Sequence, residues 1–178
     1  MKICAYNPND IEPITQLFTD TFTDSEGKEE GQLVGNLANQ LLTTTKAEER
    51  YAFVAIEHDQ IIACIILSKL TFECDINVFL LSPVAVRTSE QKKGVAQKLI
   101  NFAINALKGE AVQLLFTYGD PNFYNKVGFS PISQEVVKAP FPLTYPEGWL
   151  GQSLTEDHMQ AINGQSCCAD ALSNASYW

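Results

Sequence analysis

Basic side chains are scarce in this sequence: 12 Lys and Arg stand against 21 Asp and Glu, a net charge of -9. A chain so acidic lacks the positive surface that displaces counterions from nucleic acid, so no general nucleic-acid partner is expected. The same balance serves solubility and is compatible with a cationic or amine substrate. Long apolar runs are missing too. None reaches the roughly 18 residues that a membrane-spanning helix requires, so no membrane partner is expected. The opening residues, Met1-Lys2-Ile3-Cys4-Ala5-Tyr6-Asn7-Pro8, lack the apolar region of a secretory leader. The 5 cysteines are odd in number and follow no framework spacing, which points to a reducing compartment. A cytoplasmic location is therefore the expectation. The vicinal pair Cys167-Cys168 reads as two small residues in a flexible tail, with a redox or metal feature as the other reading. No metal is expected, and there are no repeats or low-complexity runs.

What is present is concentrated between Leu81 and Ala96. An apolar strand, Leu81-Ser-Pro-Val-Ala-Val86, runs into the polar turn Arg87-Thr-Ser-Glu90. Then comes Gln91-Lys-Lys-Gly-Val-Ala96, which opens an amphipathic helix. Free backbone N–H groups at a helix start, together with the positive end of its dipole, favour an anion such as a pyrophosphate. Gly94 and Ala96 keep bulk away, and Lys92 and Lys93 add positive charge. The helix is predicted over Lys92 to Lys108, with Val95, Leu99, Phe102, Ala103, Ala106 and Leu107 as its apolar stripe. Gly109 is its stop. Ala111–Tyr118 follows as a buried strand, giving a strand–helix–strand unit with a right-handed crossover. The first Gly of a dinucleotide fingerprint is absent, and so is the full phosphate-loop pattern.

The next segment, Tyr118-Gly-Asp-Pro-Asn-Phe-Tyr124-Asn-Lys-Val-Gly-Phe129, ends that strand, makes a short helix and starts another strand. Asp120 before Pro121 is a natural N-cap, and Gly128 a natural stop. Taken together, Gln91-x-x-Gly94-x-Ala96 and Phe123-Tyr124-x-x-x-Gly128-Phe129 resemble the GNAT superfamily of acyl-CoA N-acyltransferases. Gly119-Asp120-Pro121-x-Phe-Tyr124 is most similar to its YhbS-type branch of N-acetyltransferases. The resemblance is specific from about Tyr51 to Ser130.

The resemblance implies an α+β fold: a mixed, splayed β-sheet with helices on both faces. The order read along the chain, β-α-α-β-β-β-α-β-α-β, agrees with it. One domain over residues 1–178 is expected, with residues 131–178 less defined. The implied activity is transfer of an acetyl group from acetyl-CoA to a primary amine of a small molecule or a protein, by direct attack in a ternary complex. Two alternatives stay open: a non-catalytic acyl-CoA-binding regulatory module, and an acyltransferase using a longer acyl donor. A homodimer is compatible with all of these. The implied coenzyme A site comprises Gln91, Lys92, Lys93, Gly94, Val95 and Ala96 for the pyrophosphate. Val84 and Val86 stand beside a bulge at Pro83, where backbone groups without a sheet partner face the pantetheine arm. Tyr124 matches the position of the general acid that protonates the sulfur of coenzyme A; the other reading is a packing tyrosine beside Phe123 and Phe129.

No general base stands out. Glu73 and Asp75 precede the central strand and read mainly as solvated loop charges. Asp120 is explained by capping. His58 lies in a turn and His158 in the tail, and a water relay serves equally well. Elsewhere, Lys2–Tyr6 is a strand. Asn9 or Asp10 caps a helix bearing Ile11, Ile14, Leu17, Phe18 and Phe22. A polar link, Asp24–Gly27, precedes a second helix over Lys28–Thr43. Tyr51–Glu57 and Ile61–Leu70 form a hairpin, Asn77–Val86 is the next strand, and Gly148–Leu154 the last. The proline-rich loop Ala139–Pro146 is placed to wall an acceptor pocket.

Overall fold

The computed structural model describes residues 1–155 and 159–178. The chain divides into two compact units, Met1–Leu67 with Pro83–Ala103, and Ser68–Ser82 with Ile104–Trp178. Its strands hydrogen-bond in the order β1-β2-β3-β4-β5-β7-β6, a mixed seven-stranded sheet in an α+β fold, as the sequence implied.

The first unit opens with β1 (Lys2–Ala5), which pairs antiparallel with β2 (Arg50–Glu57), Lys2 opposite Ile56 and Ala5 opposite Phe53. A one-turn 3₁₀ segment, Pro8–Asp10, leads into α1 (Ile11–Glu26). Asp10 is the N-cap residue of α1, as predicted, but its side chain makes no cap hydrogen bond to that helix and instead closes a box on the 3₁₀ segment. Asn7 accepts from the N–H of Asn9 at 2.9 Å, and Asp10 Oδ2 accepts from the N–H of Asn7 at 2.8 Å, a reciprocal capping box. The predicted polar link shrinks to a single residue: Gly27, at φ 98°, separates α1 from α2 (Lys28–Thr44). The two helices approach closely, because a Cβ at Gly31 or Gly35 would collide with the hydroxyl of Thr23 or Thr19. Their buried faces carry Ile14 and Phe18 on α1, and Leu37, Ala38, Leu41 and Leu42 on α2. β2 turns through His58 and Asp59, both at positive φ, into β3 (Gln60–Leu70). Two central residues at positive φ match the twist of the strands they join.

The second unit holds the start of β4 (Val78–Val86) and β5 (Leu114–Tyr118). These pair in parallel, Val78 with Leu114 through Leu80 with Phe116. β5 also pairs antiparallel with β7 (Trp149–Ser153), Tyr118 opposite Trp149. Flanked on both edges, β5 is buried from Leu114 to Thr117 and apolar up to Phe116. The sequence order ended in a single strand; the structure has two. β6 (Ser130–Pro131) pairs with β7, which inserts between β5 and β6. β6 follows Phe129, where the sequence predicts the start of a strand; at two residues it is too short to show a period-2 pattern, and it has no place of its own in the order read along the chain.

The helix α3 (Val95–Gly109) begins three residues later than predicted. Lys92 (φ 62°) and Gly94 (φ 77°) adopt left-handed backbone, which no right-handed helix accommodates. Its buried stripe is Val95, Leu99, Ile100, Ala103, Ile104 and Leu107. Phe102 lies on the flank, 38% exposed, with its ring edge-on to Phe53 at 5.5 Å.

Candidate functional site

In the first unit, β4 ends at Val86 and a 3₁₀ turn, Thr88–Glu90, hands the chain to Gln91. The side chain of Gln91 reaches back, its Nε2 donating to the carbonyl of Val86 at 3.1 Å. Gln91 is therefore a brace between strand end and turn. From there the two left-handed residues, Lys92 and Gly94, fold the backbone into a concave loop at the start of α3. Only at Lys98 does the helical ladder begin, its N–H donating to the carbonyl of Gly94 at 3.1 Å. Among the described residues, no N–H group from Lys92 to Gln97 makes a close, well-aligned backbone hydrogen bond. Alternating backbone handedness at a helix start is a geometry that suits an anion.

The charges around this loop are distinct. Lys92 is exposed and has no partner among the described residues. Lys93 Nζ pairs with Glu90 Oε2 at 3.0 Å, and that hydrogen bond lowers the pKa of the Glu90 carboxyl. An exposed pair of this kind is worth little, so Lys93 remains recruitable. Val95 is buried beneath the loop, Gly94 and Ala96 are half-buried, Val84 is half-buried on β4, and Val86 is buried. All eight residues predicted for coenzyme A thus lie in one stretch of the first unit.

In the second unit, the β4–β5 ladder runs for three residue pairs and stops at Leu80 and Phe116, although both strands continue. At the next step Thr117 contacts β4 through its side chain, its hydroxyl donating to the carbonyl of Leu81 at 2.8 Å. This is where the predicted splay begins. β5 then leads through Gly119 to Asp120, whose Oδ1 accepts from the N–H of Asn122 at 2.9 Å and caps α4 (Pro121–Tyr124). Gly128, at φ 94°, closes the turn that follows, as expected.

Tyr124 is the last residue of α4. Its ring stands edge-on to Phe123 (5.0 Å) and to Phe129 (5.7 Å). Its ring also lies against Gly119, where a Cβ would come within 2.6 Å of its Cε2. The residue as a whole is half-buried, but its hydroxyl end is enclosed. Burial raises the phenol pKa above its ordinary value of 10.0, and the hydrogen bond with Thr117 opposes that rise. The packing and acid readings of Tyr124 are therefore compatible: the ring packs, and the hydroxyl stays protonated at neutral pH.

Glu73 and Cys74 line a cavity with Gln113 and Ser153, at the Leu114 end of β5. Tyr124 follows the opposite, Tyr118 end of that strand. His58 sits in the β2–β3 turn, and His158 lies outside the described residues. Cys64 is fully buried, and burial followed by the charge of Asp10 raises its thiol pKa well beyond the reactive range. Cys167 is no part of a loose tail, for it exchanges two backbone hydrogen bonds of 2.9 Å with Thr71.

Residues 48–131 match the family described as acetyltransferase (GNAT) domain. The chain is 28% identical over 141 residues to a protein of Escherichia coli (strain K12) named uncharacterized N-acetyltransferase YjhQ, covering 76% of this chain and 77% of that one. Its fold is similar to the crystal structure of the GNAT family N-acetyltransferase YhbS from Escherichia coli in complex with CoA. That match has a TM-score of 0.78 at 19% identity, over 97% of this chain and 92% of the other. It is similar also to a GNAT family acetyltransferase from Brucella melitensis in complex with acetyl-CoA, with a TM-score of 0.70 at 22% identity over 97% of both chains. The match to the acetyltransferase (GNAT) domain family thus covers residues 48–131, and the fold is similar to that of GNAT family acetyltransferases over nearly the whole chain.

Proposed function

We propose that this protein transfers an acetyl group from acetyl-CoA to a primary amine of a small molecule or protein, by direct attack within a ternary complex. The observation that carries the reading is the row of N–H groups from Lys92 to Gln97, at the start of α3, that make no close, well-aligned backbone hydrogen bond. Structural neighbours crystallised with CoA or acetyl-CoA support it. Acetyl-CoA supplies the activated thioester carbonyl. The N–H groups from Lys92 to Gln97 hold its pyrophosphate, with Lys92 adding charge and Gly94 leaving the approach open. Val84 and Val86 lie along the edge of β4 proposed for the pantetheine arm; the carbonyl of Val86 is already used by Gln91, which leaves that contact to the other backbone groups of the strand. Tyr124 supplies the proton that the departing thiolate takes up.

The test is calorimetric titration of coenzyme A together with turnover of acetyl-CoA over a broad amine panel. Lys92→Glu reverses charge at a residue already in left-handed backbone without glycine, so it adds no new strain there. Gly94→Glu adds both bulk and charge, at a cost of about 1–2 kcal/mol for the left-handed backbone. Both variants are expected to stay folded and to lose coenzyme A affinity, Gly94→Glu the more severely. Unchanged affinity in both folded variants would sink the site assignment.

A further inference from the structure

In the unit that contains Tyr124 there is an open cavity of about 370 Å³ that no step so far uses. Its walls are Tyr118 and Gly119 from the end of β5, Asp120, and Tyr145, Glu147 and Gly148 from the segment entering β7. The walls are tied together. Gly119 N–H donates to the carbonyl of Gly148 at 2.9 Å, and Tyr145 N–H donates to the hydroxyl of Tyr118 at 2.7 Å. Tyr118 is stacked on the buried ring of Trp178 at 6.2 Å, and the carbonyl of Trp178 holds the N–H of Thr144 at 2.8 Å. The face of Gly119 that meets Tyr124 shows how near the reactive phenol is: a methyl group there would strike its ring.

The lining has a definite chemistry. Tyr145 is 66% exposed, a large aromatic left in water. Two carboxylates line the cavity and no Lys, Arg or His does. Asp120 is committed, its Oδ1 accepting from both the N–H and the side-chain amide of Asn122. Glu147 has no hydrogen-bond or ion-pair partner among the described residues. Phenol faces beside one free carboxylate suit a cation, and they suit an apolar arm next to that cation. The volume sits at the small end of the roughly 300–1,000 Å³ typical of small-molecule sites.

We infer that this cavity is the acceptor site and takes a small primary amine, entering as an ammonium with an apolar arm. Glu147 holds the ammonium, and Tyr118 and Tyr145 hold the arm. The inference rests on the transfer reading above. The ammonium releases a proton to solvent and its nitrogen attacks the thioester carbonyl. The C–N bond forms and the C–S bond breaks. As the C–S bond breaks the nitrogen releases its second proton to solvent, leaving a neutral amide; the thiolate takes its proton from Tyr124, which regains one from solvent.

The probe is 2-phenylethylamine, with 3-phenylpropionate as an acid of similar shape. Each is titrated calorimetrically into the full protein saturated with coenzyme A, and the amine is also assayed with acetyl-CoA. The wild type is expected to bind the amine and not the acid. Glu147→Gln and Tyr145→Ala are each expected to raise KM for the amine about tenfold or more, the loss falling on KM rather than kcat, with coenzyme A affinity unchanged. Failure to bind the amine, equal binding of amine and acid, or amine KM unchanged in both variants overturns the pocket, and turnover of other amines then leaves the transfer reading standing. Charge-selective amine binding that Glu147→Gln abolishes, in a protein that acetylates no amine, overturns the transfer reading and the acceptor role with it.

Discussion

Tyr124 combines a locked ring with an enclosed hydroxyl, and the two features separate cleanly under mutation. Phe123, Phe129 and the backbone of Gly119 hold the ring; Thr117 meets the hydroxyl. Tyr124→Phe keeps every ring contact, and Thr117 keeps its bond to Leu81. Folding and coenzyme A affinity are therefore expected to stay close to wild type. The single-turnover rate on the best amine is expected to fall about 100-fold, the low end for a positioned acid. A wild-type rate in this variant would reduce the phenol to packing. The raised pKa adds a second readout. The neutral form is favoured in the folded state, so stability linked to this group is present below the ordinary phenol pKa near 10 and declines as pH rises past it. Ultraviolet titration, wild type minus Tyr124→Phe, is expected to show this phenolate forming only above that pH. Ionisation below it contradicts the burial argument.

The short helix α4 shows how one residue can look catalytic and be structural. Asp120 opens it, with Pro121 at the first helical position and its carboxylate on the N–H of Asn122. Asp120→Ala is expected to cost about 0.5–2 kcal/mol in chemical denaturation, and Asp120→Asn to restore most of that. Full stability with abolished turnover in Asp120→Asn would instead make Asp120 the general base. The cap was readable from Asp-Pro alone, because its determinants are local. The start of α3 was not. Nothing in Gln91-Lys-Lys-Gly announces that Lys92 takes left-handed backbone, and the apolar periodicity of the helix continues through the turn. Likewise the stripe of α3 includes Ile100 and Ile104 in place of Phe102 and Ala106, since which neighbours cover a helix decides its buried arc, and a single sequence does not carry that.

At the scale of the whole chain, legibility follows how much of the fold is dictated by backbone. Residues 51–130 carry turns and caps that demand particular residue types, and the elements read there survive in the structure nearly one by one. Beyond Pro131, β7 apart, the described residues are held by tertiary contacts without a period. Trp178 is 4% exposed, donates its Nε1 hydrogen to Leu172 at 3.0 Å, and meets Tyr118, Phe141 and Trp149. No local pattern foretold that it would anchor the wall carrying Tyr145 and Glu147. The loop at the start of α3, by contrast, makes a prediction about the folded state as a whole. A ligand that binds only the native protein stabilises it by about 2.7 kcal/mol at 100 times its dissociation constant. For a chain of this length each kcal/mol moves the midpoint by about 2–4 °C, so coenzyme A at that excess is expected to raise Tm by roughly 5–11 °C. The net charge of -9 gives coenzyme A, a polyanion, no general attraction, so the shift reports that loop itself. Lys92→Glu is expected to abolish most of it at the same ligand concentration while leaving the ligand-free Tm nearly unchanged, since Lys92 is exposed and unpaired. An equal shift in the variant would place coenzyme A elsewhere on the protein.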